Sequence, residues 1–114
     1  MESKKTILAT TSSFAKEFPE VLELIKNNGL NIVLNPLGRT LSEEELNRLL
    51  EEHKPVGLLA GTEPITRSAL ARAEDYLRVI SRVGVGWENV DRDFAEQLGV
   101  LVYRTQGVLN QAVA

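Results

Sequence analysis

The run Gly84-Val85-Gly86-Trp87-Glu88-Asn89 is the stretch of this chain with the most scope for chemistry. Its two glycines leave the backbone N–H groups of Val85 and Gly86 open to a small anion, and a carboxylate suits such a turn. Arg82 stands just ahead of it, where a guanidinium can meet a carboxylate or a phosphate through a bidentate fork. The competing reading of Arg82 is an ion pair with Glu63, Glu88 or Asp91, which needs no ligand. As a dinucleotide fingerprint the run fails. Asn89 stands where the third glycine is needed for close helix–strand packing. The helix that follows is short for a phosphate-binding crossover, and the next strand ends in Arg104, not in an acid. Trp87 either fills a gap above the sheet or forms one wall of a ligand cleft. The single histidine, His53, falls at a helix C-terminus, where a partial positive charge is favoured.

These residues need a scaffold, and the hydrophobic pattern supplies one. Residues 5–10 read as a short buried strand that ends in a hydroxyl cluster over 10–13. After Pro19, Val21, Leu22, Leu24 and Ile25 recur at helical spacing until Asn27-Asn28-Gly29, with Gly29 at the left-handed C-cap position. Residues 30–34 alternate like a second strand, stopped by Pro36 and Gly38. Ser42-Glu43-Glu44-Glu45 is a capping box, opening a helix with Leu46, Leu49 and Leu50 on one face and an end near His53 and Pro55. Residues 56–60 are apolar throughout, as a strand covered on both faces should be. Thr66 caps a helix through Ala73 with Ala69, Leu70 and Ala73 inward. Residues 78–83 form a fourth strand, Asp91 starts a short helix through Phe94, Ala95 and Leu98, and 100–103 form a fifth strand after Gly99.

Strict alternation of strand and helix predicts an α/β fold, a parallel five-stranded sheet with helices on both faces. The flavodoxin-like order 2-1-3-4-5 is the natural solution. Such sheets bind ligands beyond the carboxyl ends of their strands. That edge is lined by residues 10–13, 35–39, 61–63, 84–89 and 104–107, rich in glycine and hydroxyls. Turns between strand and helix need Gly, Thr and Asn in any case, so the ligand-binding and the plain-turn readings both stand.

Composition removes several other classes. The chain has 114 residues, a single-domain length, and its charges are evenly spread, with a net charge of −3. No basic patch emerges, so nucleic acid and anionic membrane are poor partners. The absence of cysteine, with only one histidine, leaves no disulfide, zinc cluster, thiolate nucleophile or histidine-based triad, and no metal site is expected. No apolar run approaches the ~18 residues that span a bilayer, and the N-terminus is too polar for a signal peptide, so the expected compartment is the cytoplasm. A receiver-type signalling domain would need acidic residues after strand one and an aspartate after strand three; residues 10–13 and Gly61-Thr62 stand there instead. Residues 108–114 look like a helix getting under way, with Asn110 a possible N-cap, and the chain reads as cut in mid-element.

With these segments placed, the sequence resembles a known family. Residues 77–91, Leu-Arg-Val-Ile-Ser-Arg-Val-Gly-Val-Gly-Trp-Glu-Asn-Val-Asp, are similar to the substrate-domain run of the NAD-dependent D-2-hydroxyacid dehydrogenases. Ala60-Gly61-Thr62-Glu63-Pro64-Ile65-Thr66 and Asn35-Pro36-Leu37-Gly38-Arg39 resemble the D-3-phosphoglycerate dehydrogenase-like branch. Thr105-Gln106-Gly107, Asn110 and Ala112-Val113-Ala114 resemble the segment leading from substrate domain to cofactor domain. The resemblance implies substrate-carboxylate binding at Val85 and Gly86, with Val85 also beside the nicotinamide of NAD. It further implies substrate contacts from Arg82, Gly61 and Thr62. Three departures are visible: an arginine usual in the loop at Gly61-Thr62 is absent, Arg104 replaces the usual Asn, and Gln106 the usual Pro.

On this resemblance, residues 1–107 are the substrate domain, and 108–114 begin the interdomain helix, truncated before the Rossmann NAD domain. The family's catalytic Arg, Glu and His would lie past Ala114, so the chain alone is expected to be inactive. It would supply carboxylate binding and one wall of a closing cleft for hydride transfer from substrate C2 to NAD. The expected partner is a small 2-hydroxy or 2-oxo acid, with D-3-phosphoglycerate a candidate. The resemblance also implies a homodimeric parent, while apolar residues 108–113 would favour self-association. The alternative is a free-standing flavodoxin-like module that binds a small anion in a regulatory role.

Overall fold

A computed structural model of the chain describes residues 5–11, 18–83 and 86–104. The strands are β1 (Thr6–Ala9), β2 (Asn31–Leu34), β3 (Gly57–Ala60), β4 (Val79–Arg82) and β5 (Leu101–Arg104). Among the described residues the helices are α1 (Pro19–Asn27), α2 (Glu43–His53), α3 (Arg67–Arg72) and α4 (Arg92–Gln97). The five strands form one sheet in the order β2-β1-β3-β4-β5, and every neighbouring pair is parallel, as the alternation predicts. The expected segments 105–107 and 108–114, with Asn110, lie outside the described residues, as do residues 12 and 13 and the glycine-turn residues Gly84 and Val85.

Strand β5 keeps its expected length and is shifted by one residue to end on Arg104, whereas β1 to β4 are each a residue or two shorter than their apolar runs, because a run also covers the approach to the ladder. Val56 shows this: although it precedes β3, its N–H donates to the Thr6 carbonyl at 2.9 Å and its carbonyl accepts from Arg78 at 2.8 Å. Alternation along the strands divides the sheet into two faces. Leu8, Leu58, Ala60 and Ile80 point to one face and join Leu46 and Leu50 of α2, Ala69 and Leu70 of α3 and Ala95 of α4 in the main core. The right-handed crossover rule places α1, which connects β1 to β2, on the other face. There α1 packs on β2 through half-buried Val21, Leu22 and Ile25. Leu24 falls outside that stripe and is 62% exposed, so it is not part of the buried helix face that its apolar character suggested.

The local signals for helix ends hold. Ser42 and Glu45 make both halves of the capping box, the Thr66 hydroxyl accepts from Ala69 N, and Asp91 Oδ1 accepts from Phe94 N at 3.1 Å. Gly29 has φ +80, the left-handed conformation for which a glycine is suited. At the end of α2 no glycine is present, and Lys54 takes the left-handed position with φ 46 while its N–H bonds the Leu50 carbonyl. Parallel strands joined by helices bring the carboxyl ends of β1, β3 and β4 to one edge. His53, at the far end of α2, is carried to the opposite edge, away from those loops.

Candidate functional site

The loops at the carboxyl ends of β1, β3 and β4 enclose a pocket of about 110 Å³, with Thr40 from the loop after β2 on its rim. Thr10 and Thr11 leave β1, Gly61, Thr62 and Glu63 leave β3, and Arg82 and Val83 leave β4. Three of the residues expected to bind substrate, Gly61, Thr62 and Arg82, therefore share one cavity. Gly86 is half-buried in the turn beyond β4 but does not line this cavity, and Val85 lies outside the described residues.

The pocket floor is built from hydrogen bonds between distant residues. Glu63 is fully buried: its Oε1 accepts from Gly61 N at 3.0 Å, and its Oε2 accepts from the Thr10 hydroxyl. Such a buried polar group is tolerable because it is partnered. Gly61 is a position of close approach. A Cβ there would meet Thr11 Cα at 3.1 Å and Glu63 Oε1 at 3.2 Å, so any larger residue would have to push the loop or the end of β1 aside by a few tenths of an ångström. Across the mouth the Thr40 and Thr62 hydroxyls are 3.3 Å apart. Asn35 ties the loop after β2 to the site, donating to the Thr10 carbonyl at 2.8 Å and to the Arg39 carbonyl at 2.7 Å. Arg39 in turn forms a forked pair with Glu45, at 2.9 and 2.7 Å, which joins that loop to the first turn of α2.

Arg82 is 8% exposed. Its Nε donates to Asn89 Oδ1 at 3.2 Å, and its Nη1 donates to the Val83 carbonyl. The ion pair with Glu63, Glu88 or Asp91 that the sequence allowed is not the arrangement found: Glu63 is turned to Thr10 and Gly61, and Asp91 caps α4. A side-chain amide wins because Asn89 is already anchored to the loop after β3 and can present its oxygen without a second buried charge. Trp87 is likewise neither a simple gap filler nor a bare cleft wall. The guanidinium groups of Arg92 and Arg104 lie 4.2 and 4.3 Å from its ring centroids, so the indole joins the start of α4 to the end of β5.

Two participants take roles that the sequence does not suggest: Asn89 stands there only as a missing glycine, and Glu63 as a candidate partner of Arg82, where the structure gives it Gly61 N and Thr10. Their partners cannot be read from sequence. As for the dinucleotide test, the Asn89 side chain is consumed by the protein itself and α4 has only six residues. This turn does not fit a pyrophosphate.

Comparison with known proteins agrees with this fold. Residues 9–114 match the family model described as the catalytic domain of D-isomer specific 2-hydroxyacid dehydrogenases. The chain is 33% identical over 97 residues to a glyoxylate reductase of Aeropyrum pernix, covering 85% of this chain and 28% of that protein. It is 32% identical over 83 residues to a D-3-phosphoglycerate dehydrogenase of Sus scrofa, covering 73% of this chain and 15% of the relative. A solved NAD+-bound 3-phosphoglycerate dehydrogenase of Entamoeba histolytica superposes with a TM-score of 0.74 at 19% identity, over 90% of this chain and 33% of that one. The chain thus spans less than a third of the length of the curated relatives it matches.

Proposed function

This chain belongs to the D-isomer specific 2-hydroxyacid dehydrogenase family, and from that premise we propose that it is the substrate-domain part of a cytoplasmic, NAD-dependent 2-hydroxyacid dehydrogenase. In this role it binds the carboxylate of a small 2-hydroxy or 2-oxo acid. The observation that carries the reading is Arg82. Its buried guanidinium opens on a pocket at the carboxyl edge of the sheet, and its bonds to described residues go to neutral acceptors. A ligand carboxylate there would supply the opposite charge that a desolvated cation calls for. Gly61 and Thr62 form the facing wall, and the N–H groups of Val85 and Gly86 would complete the carboxylate site.

Residues 1–107 are then the substrate domain and 108–114 the start of the interdomain helix. The names of the relatives put forward D-3-phosphoglycerate and glyoxylate as substrates of the parent. Val85 is the residue this reading sets beside the nicotinamide. The pyrophosphate would be held elsewhere in the parent, since Asn89 and the short α4 do not suit it. When bound, NAD would accept hydride from the substrate C2; this chain would bind and orient the acid. Because the chain spans so small a share of its relatives, the reading makes it inactive alone. It also makes the parent a homodimer and gives the isolated chain a tendency to self-associate through residues 108–113.

The test is a titration of the 15N-labelled chain with oxamate, the monoamide of oxalate and an unreactive mimic of a 2-oxo acid, and with D-3-phosphoglycerate. Saturable shifts at Gly61, Thr62 and Gly86, without any oxidation of NADH on adding a 2-oxo acid, are expected. A spectrum unmoved by either ligand would overturn the binding role, and steady NADH turnover would overturn the assignment as an inactive part.

A further inference from the structure

We infer that Asn89 is a positioning residue, whose carboxamide clasps the loop after β3 to the turn after β4 and orients Arg82 between them. A carboxamide has two N–H donors and one carbonyl acceptor in a single plane. Here all of this is used. Nδ2 donates to the Gly61 carbonyl at 3.1 Å and to the Glu63 carbonyl at 2.8 Å, while Oδ1 accepts from Arg82 Nε at 3.2 Å.

Among the described residues, backbone bonds join the two segments at their ends. Val83 N donates to the Ala60 carbonyl at 2.9 Å where the strands stop. Farther on, Ile65 N donates to the Asn89 carbonyl at 2.8 Å and Asp91 N to the Ile65 carbonyl at 3.0 Å, around Ile65 and Val90. The side chain of Asn89 extends that junction to Gly61 and Glu63, at the pocket itself. Glu63 is then held on both sides, its carbonyl by Asn89 and its carboxyl group by Gly61 N and Thr10. Bonding Nε also sets the plane of the Arg82 guanidinium, whose fork must be presented in one orientation to meet a carboxylate. No other natural side chain of this length offers two donors and an acceptor in this arrangement. Aspartate keeps the acceptor for Arg82 but turns an oxygen toward two carbonyls; alanine removes everything.

The inference rests on the substrate-binding reading for its purpose but not for its geometry, and the experiment separates the two. In the wild-type chain the Arg82 Nε–Hε resonance should exchange slowly with solvent, because its proton is bonded and buried. In Asn89→Ala that protection should vanish, and the Gly61 and Ile65 amides should exchange faster while Leu58 and Ile80 stay as they were. In Asn89→Asp the Arg82 signal should stay protected while the Gly61 amide loosens. Oxamate affinity should fall roughly tenfold in both variants, the effect of losing hydrogen bonds to a charged group or its support. Unchanged oxamate affinity, within about twofold, in folded Asn89→Ala and Asn89→Asp chains would overturn the positioning role. If wild type fails to bind oxamate, the functional reading falls, and the exchange data still decide the clasp: a fast-exchanging Arg82 Nε–Hε in wild type refutes it. That last measurement needs no variant, so a failure of either substitution to fold does not spare the inference.

Discussion

Glu63 uses both oxygens of a fully buried carboxyl group, one on Gly61 N and the other on the Thr10 hydroxyl. Its removal takes the nearest acceptor from each of those donors and leaves only longer contacts of 3.4 Å, Gly61 N to the Thr10 hydroxyl and that hydroxyl to the Leu59 carbonyl. Glu63→Ala is therefore expected to destabilise the chain by about 1–3 kcal/mol, the range for buried groups that lose a partner. Glu63→Gln keeps an acceptor for one of them and should cost less. Urea denaturation of the two variants against wild type checks this, and midpoints for both variants equal to that of wild type would show that the carboxyl contacts carry no stability. Asn89 is of the same kind. At both residues the side chain type follows from how many donors and acceptors the site presents, not from burial alone.

The first turn of α2 shows how an element is fastened to the loop before it. Glu45 accepts from Arg39 through both oxygens and closes the capping box on Ser42 N. These contacts, the Arg39 bonds foremost and the Ser42 N–H next, bring the Glu45 carboxyl down to about 2 from an ordinary 4.5. A depressed carboxyl pKa adds stability that is present above 4.5 and lost as pH falls through about 2. Loosening of the helix start and of the loop with Asn35 is accordingly expected between those values. A 13C titration of the Glu45 carboxyl follows it directly, and Arg39→Ala should return the midpoint toward 4.5. A midpoint unchanged by that variant would mean the fork with Arg39 does not persist in solution. The pair lies at the surface, so added salt should weaken the effect.

At the scale of the whole molecule the sheet is unevenly covered. Helices α2, α3 and α4 contribute to one continuous core, whereas α1 has no buried residue. On edge strand β5, Leu101 is 57% and Tyr103 55% exposed, and both point to the same face. Exposed apolar residues on an edge strand invite contact with another chain. Sedimentation velocity over a concentration series is expected to show reversible self-association, weakened by Leu101→Lys. A monomer at every concentration would exclude it. Among the described residues no helix is long and apolar enough to cross a membrane.

The amino-acid sequence by itself determined the alternation of elements, for which the flavodoxin-like order of the strands is the natural solution. The reason is that apolar periodicity, the capping residues Ser42, Thr66 and Asp91, and Gly29 all act within a few residues of one another. It also pointed to the loops that bear Gly61, Thr62 and Arg82. Only the tertiary structure decided what those residues touch. Thr10 and Glu63 are 53 residues apart, and Asn89 and Gly61 are 28 apart; their meeting depends on parallel register and on the path of each loop, which no local pattern encodes. Arg82 illustrates the division. Its charge and its place at a strand end were legible, and three acids nearby in sequence were plausible partners. The folded chain gave it an amide instead, because Asn89 was already fixed by the loop across the pocket.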